Sequence, residues 1–219
     1  MQINADLTRP AIVDSTALPW VASPIAGVER RMLERDGAEV ARATSLVRYA
    51  PGSTFSPHRH DAGEEFLVLD GVFSDETGDF PEGFYIRNPP GSRHTPASRP
   101  GAIILVKLRQ MPEAETHPVR IDTRDPALWH TTTEGTEHAT LFEAPWERVD
   151  LLRLAPGHAV PTRSFPGGVE LFIVTGSATI DDHPHVAGTW LRFPPDTTIR
   201  LASTTGATIY RKTGHIAPR

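Results

Sequence analysis

Apolar and polar residues alternate in short stretches along most of the chain, and glycine and proline separate these stretches. Alternation with a period of two predicts half-buried β-strands, whereas helical periodicity is weak throughout. The clearest predicted strands cover 44–50, 66–69, 84–87 and 102–108. Shorter strands are predicted within residues 1–43, and residues 112–118 form a polar linker bounded by proline. The pattern therefore predicts an all-β sandwich or barrel.

The pattern also repeats after 105 residues, without a gap over most of its length. The recurring pairs include Leu46 and Leu151, Gly71 and Gly176, Pro89 and Pro194, and Lys107 and Lys212. Self-similarity at a fixed period indicates duplication of one structural unit. We therefore expect two tandem domains, which cover residues 1–112 and 113–219.

Candidate metal ligands are concentrated in the first repeat, at His58, His60, Glu64 and His94. His58 and His60 are two apart in a predicted strand, so their side chains leave the same face. Three imidazoles and one carboxylate suit zinc, iron(II), manganese or nickel. The alternative is a set of exposed loop histidines. Four spaced ligands with framing glycines are a far more specific pattern than a lone short motif, and they favour the metal site.

The spacing around these residues resembles the two sequence motifs of the cupin superfamily. Residues 52–71 match G-x5-H-x-H-x3-E-x6-G, and residues 83–94 match G-x5-P-x-G-x2-H. More narrowly, HRHDAGEEFLVLDG, RNPPGSRH and VKLRQM resemble the cupin domain of ChrR-type anti-sigma factors and related stand-alone metal cupins. The resemblance is dense from residue 46 to residue 111. It implies two tandem jelly rolls (double-stranded β-helices), a bicupin.

The resemblance also implies what the first domain binds. In that family the two histidines, the first glutamate and the later histidine bind the metal. We therefore expect one divalent ion per chain at His58, His60, Glu64 and His94. Zinc or iron(II) is the expected ion, with manganese or nickel as alternatives.

The second repeat has lost all four of these residues. The positions that correspond to them hold Arg163, Phe165, Val169 and Ile199. A cation repels a metal, and apolar side chains fill a barrel interior, whereas the turn-forming glycines and prolines are retained. We therefore expect residues 113–219 to form a degenerate cupin domain that is structural or holds an apolar pocket.

Composition and charge narrow the class of protein. The net charge of −5 argues against non-specific nucleic-acid binding, and the absence of cysteine excludes disulfides and thiolate metal sites. The apolar runs are too short to span a bilayer. The first residues lack a secretory signal pattern, so a cytoplasmic protein is expected.

The resemblance implies a small-molecule or oxidative-stress sensing or regulatory protein. ChrR-type proteins bind a sigma factor through a separate helical domain with its own His/Cys zinc site. This chain has no cysteine and begins with a cupin unit. The residues therefore give no support for a direct sigma-factor contact.

The alternative is a non-haem metal-dependent dioxygenase that acts on a small diketone or aromatic ketone. The sequence shows no further catalytic group, so whether the chain is an enzyme stays open. A third interpretation is a metal-stabilised binding protein without turnover. The expected partners are a small-molecule ligand or substrate and a second copy in a homodimer, with no nucleic acid and no membrane.

Overall fold

The computed structural model describes residues 1–132 and 135–216, and nearly all regular structure in these ranges is β-strand. Two single-turn 3-10 helices, Ser15–Ala17 and Pro126–Leu128, are the helical elements in the described ranges. None of these described residues forms a helix with the length and apolar character needed to cross a bilayer. The predicted all-β class is confirmed.

The strands fall into two series that follow the sequence repeat. The first series is β1 (Gln2–Ile3), β2 (Ala11–Asp14), β3 (Val21–Ala22), β4 (Val28–Gly37), β5 (Ala41–Tyr49), β6 (Ser53–Thr54), β7 (His58–Arg59), β8 (Glu64–Asp75), β9 (Gly78–Pro81), β10 (Phe84–Asn88), β11 (Arg93–His94), β12 (Ala97–Ser98) and β13 (Ala102–Leu108). The second is β14 (Val119–Asp122), β15 (Trp129–Thr131), β16 (Glu137–Ala144), β17 (Glu147–Leu154), β18 (His158–Ala159), β19 (Arg163–Phe165), β20 (Val169–Ile180), β21 (His183–Val186), β22 (Thr189–Phe193), β23 (Thr197–Ile199), β24 (Leu201–Ser203) and β25 (Ala207–Thr213). All four predicted strands are present, and β13 has the predicted bounds.

The first unit is built on an antiparallel sheet in the order β1-β4-β5-β13-β8-β10-β14. A second ribbon pairs β7 with β11, and β12 joins β6 to β8. Alternate positions on these strands point inward and form an apolar core. That core contains Val28, Val47, Tyr49, Phe66, Val68, Phe73, Phe80, Ile86, Ala102, Ile104 and Val106. The result is the jelly-roll architecture expected for one cupin domain.

The second unit has the same connectivity, in the order β15-β16-β17-β25-β20-β22-β2, with a β19-β23 ribbon. Its core is also apolar. The core contains Leu152, Leu154, Val160, Phe165, Val169, Leu171, Ile173, Ala178, Ile180, Leu191, Ile199, Leu201, Ala207 and Ile209.

One strand of each sheet comes from the other half of the sequence. The first unit comprises Met1–Ala5 and Leu18–Arg124, and the second comprises Asp6–Ala17 and the described residues from Asp125 onward. β14 pairs with β10 in the first unit, and β2 pairs with β22 in the second. The compact units therefore exchange residues 6–17 and 113–124 relative to the repeats 1–112 and 113–219.

A buried ion pair attaches the predicted linker to the first unit. Glu115 is 5% exposed, and both its carboxylate oxygens accept hydrogen bonds from Arg87, one of them at 2.6 Å. Nη1 of Arg87 also donates to Oε2 of Glu65 at 2.5 Å, and the hydroxyl of Tyr85 donates to the same oxygen at 2.6 Å. Glu115 thus has a structural role that the polar composition of the linker does not indicate.

Gly71 shows why the turn glycines recur in both repeats. It has φ +72°, and a Cβ at this position would overlap the backbone carbonyl oxygen of Gly101. Gly176 has φ +73° and would overlap the carbonyl oxygen of Gly206 in the same way. Both positions therefore need a residue without a side chain, for conformational and for steric reasons.

We expect Gly71→Ala to destabilise the first unit by about 1–3 kcal/mol more than Gly52→Ala. Gly52 has φ +74° with nothing within 4 Å of the added Cβ, so both substitutions strain the backbone but only Gly71→Ala creates an overlap. Urea unfolding of both variants measures the difference. Equal losses of stability would show that the close approach of Gly71 to Gly101 is not restrictive.

Candidate metal centre

The four predicted ligands lie at or next to the ends of strands in the first unit. His58 opens β7, and the antiparallel pairing of β7 with β11 places His94 opposite it. His60 follows β7, and Glu64 begins β8. The structure therefore brings together the four residues that the sequence analysis identified.

These side chains form one compact cluster. The potential ligand atoms all lie within 4.8 Å of one another, and the imidazole centroids are 4.6–4.9 Å apart. Nε2 of His60 and Nε2 of His94 are each 3.5 Å from Oε2 of Glu64. Ligand atoms about 2.0–2.2 Å from one ion are at most about 4.4 Å apart. The cluster therefore has nearly the dimensions of a metal site.

The hydrogen bonding of the imidazoles also fits a metal. Among the described residues, Nε2 of His60 and Nε2 of His94 are buried without a hydrogen-bond partner. Nδ1 of His58 is 3.2 Å from the carbonyl oxygen of Ser56, which leaves Nε2 of His58 available. Buried nitrogens without partners are costly unless a ligand satisfies them. The cluster could therefore bind a divalent metal ion.

A second layer of contacts orients the ligands. Nδ2 of Asn88 donates to Oε2 of Glu64 at 3.1 Å, and Nη2 of Arg120 donates to Oδ1 of Asn88 at 2.7 Å. On the other side of the cluster, Nδ1 of His94 is 3.4 Å from Oδ2 of Asp75. Contacts of this kind fix the tautomer and the orientation of metal ligands.

Burial and neighbouring charges set the protonation of these groups. Burial lowers the pKa of His60; Glu64 opposes this shift, whereas His94 and His58 add to it. The neutral imidazole is the form that binds a metal. Burial raises the pKa of Asp75, but hydrogen bonds with His94 and Thr77 outweigh this effect and bring it to about 2. Asp75 is therefore ionised at neutral pH, and its carboxylate can accept a hydrogen bond from the Nδ1–H of His94.

A cavity of about 380 Å³ lies beside the cluster, and His58, His60 and Glu64 form part of its wall. Its apolar wall is formed by Val28, Val47, Tyr49, Phe55, Ile104, Val106 and Leu108. Burial, and then the charge of Glu64, raise the pKa of Tyr49 well above its ordinary value, so its phenol stays protonated. An apolar cavity with a few convergent polar groups is typical of small-molecule sites.

Sequence comparison agrees with the fold. The family described as the ChrR cupin-like domain matches residues 8–112 and 116–217. The chain belongs to the ChrR cupin-like family. Both halves of this bicupin match, which confirms the resemblance and the tandem architecture. No curated protein sequence matches the chain.

Several solved structures share the fold of this bicupin at low sequence identity. A proposed dioxygenase from Nostoc punctiforme is 17% identical with a TM-score of 0.77, and the match covers 97% of this chain and 85% of that one. Protein Ylba from E. coli is 16% identical with a TM-score of 0.75, at 98% and 95% coverage. The pirin YhhW from Escherichia coli, solved with nickel(II), is 10% identical with a TM-score of 0.70, at 94% and 98% coverage. At these identities the likeness shows the fold alone.

The second cupin unit places its four replacements in the same register. β19 and β23 set Arg163 opposite Ile199, as β7 and β11 set His58 opposite His94. Phe165, Val169 and Ile199 are buried in the apolar core, and Arg163 is exposed. Within the described ranges, the metal-like cluster of histidine and acidic side chains is the one in the first unit.

In the second unit, Phe165 and Ile199 help to line a pocket with a largely apolar wall, so the apolar pocket that we expected as one alternative is present, with a volume of about 10 Å³. The rest of the barrel interior is occupied by the apolar core. A larger cleft of about 760 Å³ in this unit is lined largely by polar residues, which include His130, Arg148, Arg163 and Arg211. Arg211 forms two hydrogen bonds to the buried carboxylate of Asp150, at 2.9 and 2.6 Å.

Three polar residues that surround the candidate ligands were not predicted from the sequence. Asp75, Asn88 and Arg120 correspond to Ile180, Phe193 and Ile12 in the other cupin unit. All three are polar where the ligand cluster is present and apolar where it is absent. A comparison of the repeats at every position would have identified Asp75 and Asn88. Arg120 could not be found in this way, because β14 and β2 exchange units.

Proposed function

We propose that the first unit binds one divalent transition metal through His58, His60, Glu64 and His94, and that the chain is a metal-dependent enzyme acting on a small organic molecule. The cavity that joins three of these residues to apolar walls carries the proposal. A bound ion of this kind supplies a Lewis acid or a redox centre. The reaction to test first is oxygen-dependent cleavage of a small diketone or aromatic ketone.

The side chains of this unit have separable tasks under the proposal. Asn88 holds the carboxylate of Glu64, and Asp75 holds the ring of His94. The apolar side chains of Val47, Ile104 and Val106 face the cavity, where they would bind the body of the substrate and exclude water. Tyr49 contributes a protonated phenol to the same wall. These side chains bind, orient and exclude water beside the proposed centre.

The test is oxygen consumption by protein loaded anaerobically with iron(II), with acetylacetone and benzoylacetone as substrates. We expect uptake that depends on both iron and diketone, and none with zinc-loaded protein. His94→Ala is the matched control, because it removes one proposed ligand and leaves the cavity-lining residues in place. Oxygen uptake that is equal in wild type and His94→Ala would contradict the proposal.

A sensing or regulatory role is the second candidate. The match of both halves to the ChrR cupin-like family favours it. In this case the same metal and cavity would bind a compound without consuming it. Ligand-induced thermal stabilisation that requires His94, without oxygen uptake or product formation, would support sensing over catalysis.

A further inference from the structure

We propose that Arg30 makes the cavity selective for an organic anion, so that the substrate or ligand carries a carboxylate attached to an apolar body. This inference deepens the proposed function, and it rests on the same cavity. Arg30 belongs to the cavity wall but not to the metal cluster. It was not among the residues that the sequence analysis identified.

The strand register directs Arg30 into the barrel. Arg30 lies on β4, two residues after Val28, which is buried in the apolar core of the first unit. Residues two apart on a strand leave the same face, and Arg30 is opposite the inward-facing Val47 of β5. Its side chain is only 21% exposed. A cation thus projects into an otherwise largely apolar wall.

The guanidinium of Arg30 is poorly satisfied by the protein. Its Nε is buried without a hydrogen-bond partner among the described residues. Its ion pair is with Glu39, at 3.8 Å, and the Glu39 side chain is 70% exposed. This distance is too long for a hydrogen bond, and exposed pairs contribute little. A carboxylate in the cavity would supply the missing acceptor, because guanidinium and carboxylate groups match in geometry.

The other charged residues of the wall also favour an anion. Apart from the metal cluster, the wall contains the cations Arg30, Arg59 and Arg109 and the carboxylates Glu39 and Asp61. Asp61 is shared between Arg59 at 3.6 Å and Arg109 at 3.7 Å. Outside the cluster one positive charge is therefore in excess, and Glu64 of the cluster balances it when no metal is bound. A concave site with an excess of one charge attracts ligands of the opposite sign.

The neighbouring residue provides a matched control. Arg31 is adjacent in sequence and lies on the opposite face of β4 by strand alternation. Its guanidinium stacks on the ring of Trp20, 4.4 Å from the centroid, and it does not belong to the cavity wall. Removing the charge of Arg31 therefore changes the net charge of the protein as much as removing that of Arg30.

The experiment is calorimetric titration of metal-free and zinc-loaded protein with phenylpyruvate and with its neutral methyl ester. We expect zinc-loaded wild type to bind the acid at least about tenfold more tightly than the ester, and metal-free wild type to show a smaller preference for the acid. Arg30→Met should weaken binding of the acid by about tenfold to a hundredfold, as expected for loss of a charge-assisted hydrogen bond. Arg30→Lys should recover part of this loss, and Arg31→Met should bind as wild type does.

Zinc affinity should be the same in wild type and Arg30→Met. Equal affinities for acid and ester, no binding of the acid, or an Arg30→Met protein that binds it as wild type does would overturn the inference. If the chain binds no zinc but still binds the acid more tightly than the ester, and this preference requires Arg30, the proposed metal function is refuted. The anion site is then still supported.

Discussion

Replacing Glu64 by alanine is expected to weaken zinc binding by about a hundredfold to a thousandfold. Four-ligand zinc sites bind with about 10–16 kcal/mol, and a quarter of this free energy is two to three factors of ten. Glu64 is also the only carboxylate in the cluster, and Nε2 of His60 and Nε2 of His94 both face it at 3.5 Å. Competition with a chromophoric chelator measures the change.

Asp61→Ala is the matched control for this substitution. Asp61 is a carboxylate three residues away that lines the same cavity but does not belong to the cluster, and its side chain is 68% exposed. Its loss should leave the zinc affinity within about threefold of wild type, because an exposed charge is screened by solvent. If the two variants bind zinc equally well, Glu64 is not a ligand.

Arg87→Met is expected to destabilise the first unit by about 3–5 kcal/mol, the usual cost of removing one partner from a buried ion pair. Arg87 is fully buried, and it bonds the carboxylates of Glu65 and Glu115. Methionine fills much of the same volume, but it leaves two buried carboxylates without this cation. Urea unfolding followed by far-UV circular dichroism measures the loss.

Arg48→Met is the control for Arg87→Met, because it removes the same charge from an ion pair that is partly exposed. Arg48 pairs with Glu29 at 2.5 Å and lies over the ring of Trp20, but both partners of the ion pair have side chains about 40% exposed. Its loss should cost about 1 kcal/mol. A cost for Arg87→Met as small as that for Arg48→Met would mean that the buried network does not hold β10 to the linker.

Arg48 and Arg87 also show which structural features could be predicted from the sequence and which could not. Both recur in the second repeat, as Arg153 and Arg192, so the repeat assigns both a framework role. The all-β class, the four clearest strands and the duplication follow from periodicity and from retained glycines. The two arginines differ in burial because of partners that are distant in sequence, such as Glu115. A local sequence pattern therefore does not predict this difference.

The exchange of β2 and β14 between the two units could not be predicted from the sequence, for a related reason. Each is a strand of four residues, and its own sequence does not specify which of two similar sheets it joins. Arg120 contacts Asn88 only because β14 pairs with β10. Long-range pairing, rather than local propensity, therefore placed this side chain beside the candidate metal centre.

The candidate metal ligands could be predicted because most of them are close in sequence, and their spacing alone brings their side chains together. Two histidines two apart, a turn and then a glutamate can converge with little help from the rest of the chain. Asp75 and Arg30 lacked such a signature, since each acquires its role only when β8 and β4 are in their places in the sheet. Arg30 lies in no motif that could be recognised before the fold was known, and Asp75 has its only sequence signal in the contrast with Ile180 of the other repeat.

The most direct test of the account is the metal content of the chain after reconstitution with zinc and removal of free ion. We predict one zinc per chain in wild type and none in a folded variant that carries both His58→Ala and His94→Ala. The second unit should contribute no site, because Phe165, Val169 and Ile199 fill the equivalent positions. Two zinc ions per chain, none in wild type, or one retained in the double variant would contradict the assignment of the metal centre to the first unit.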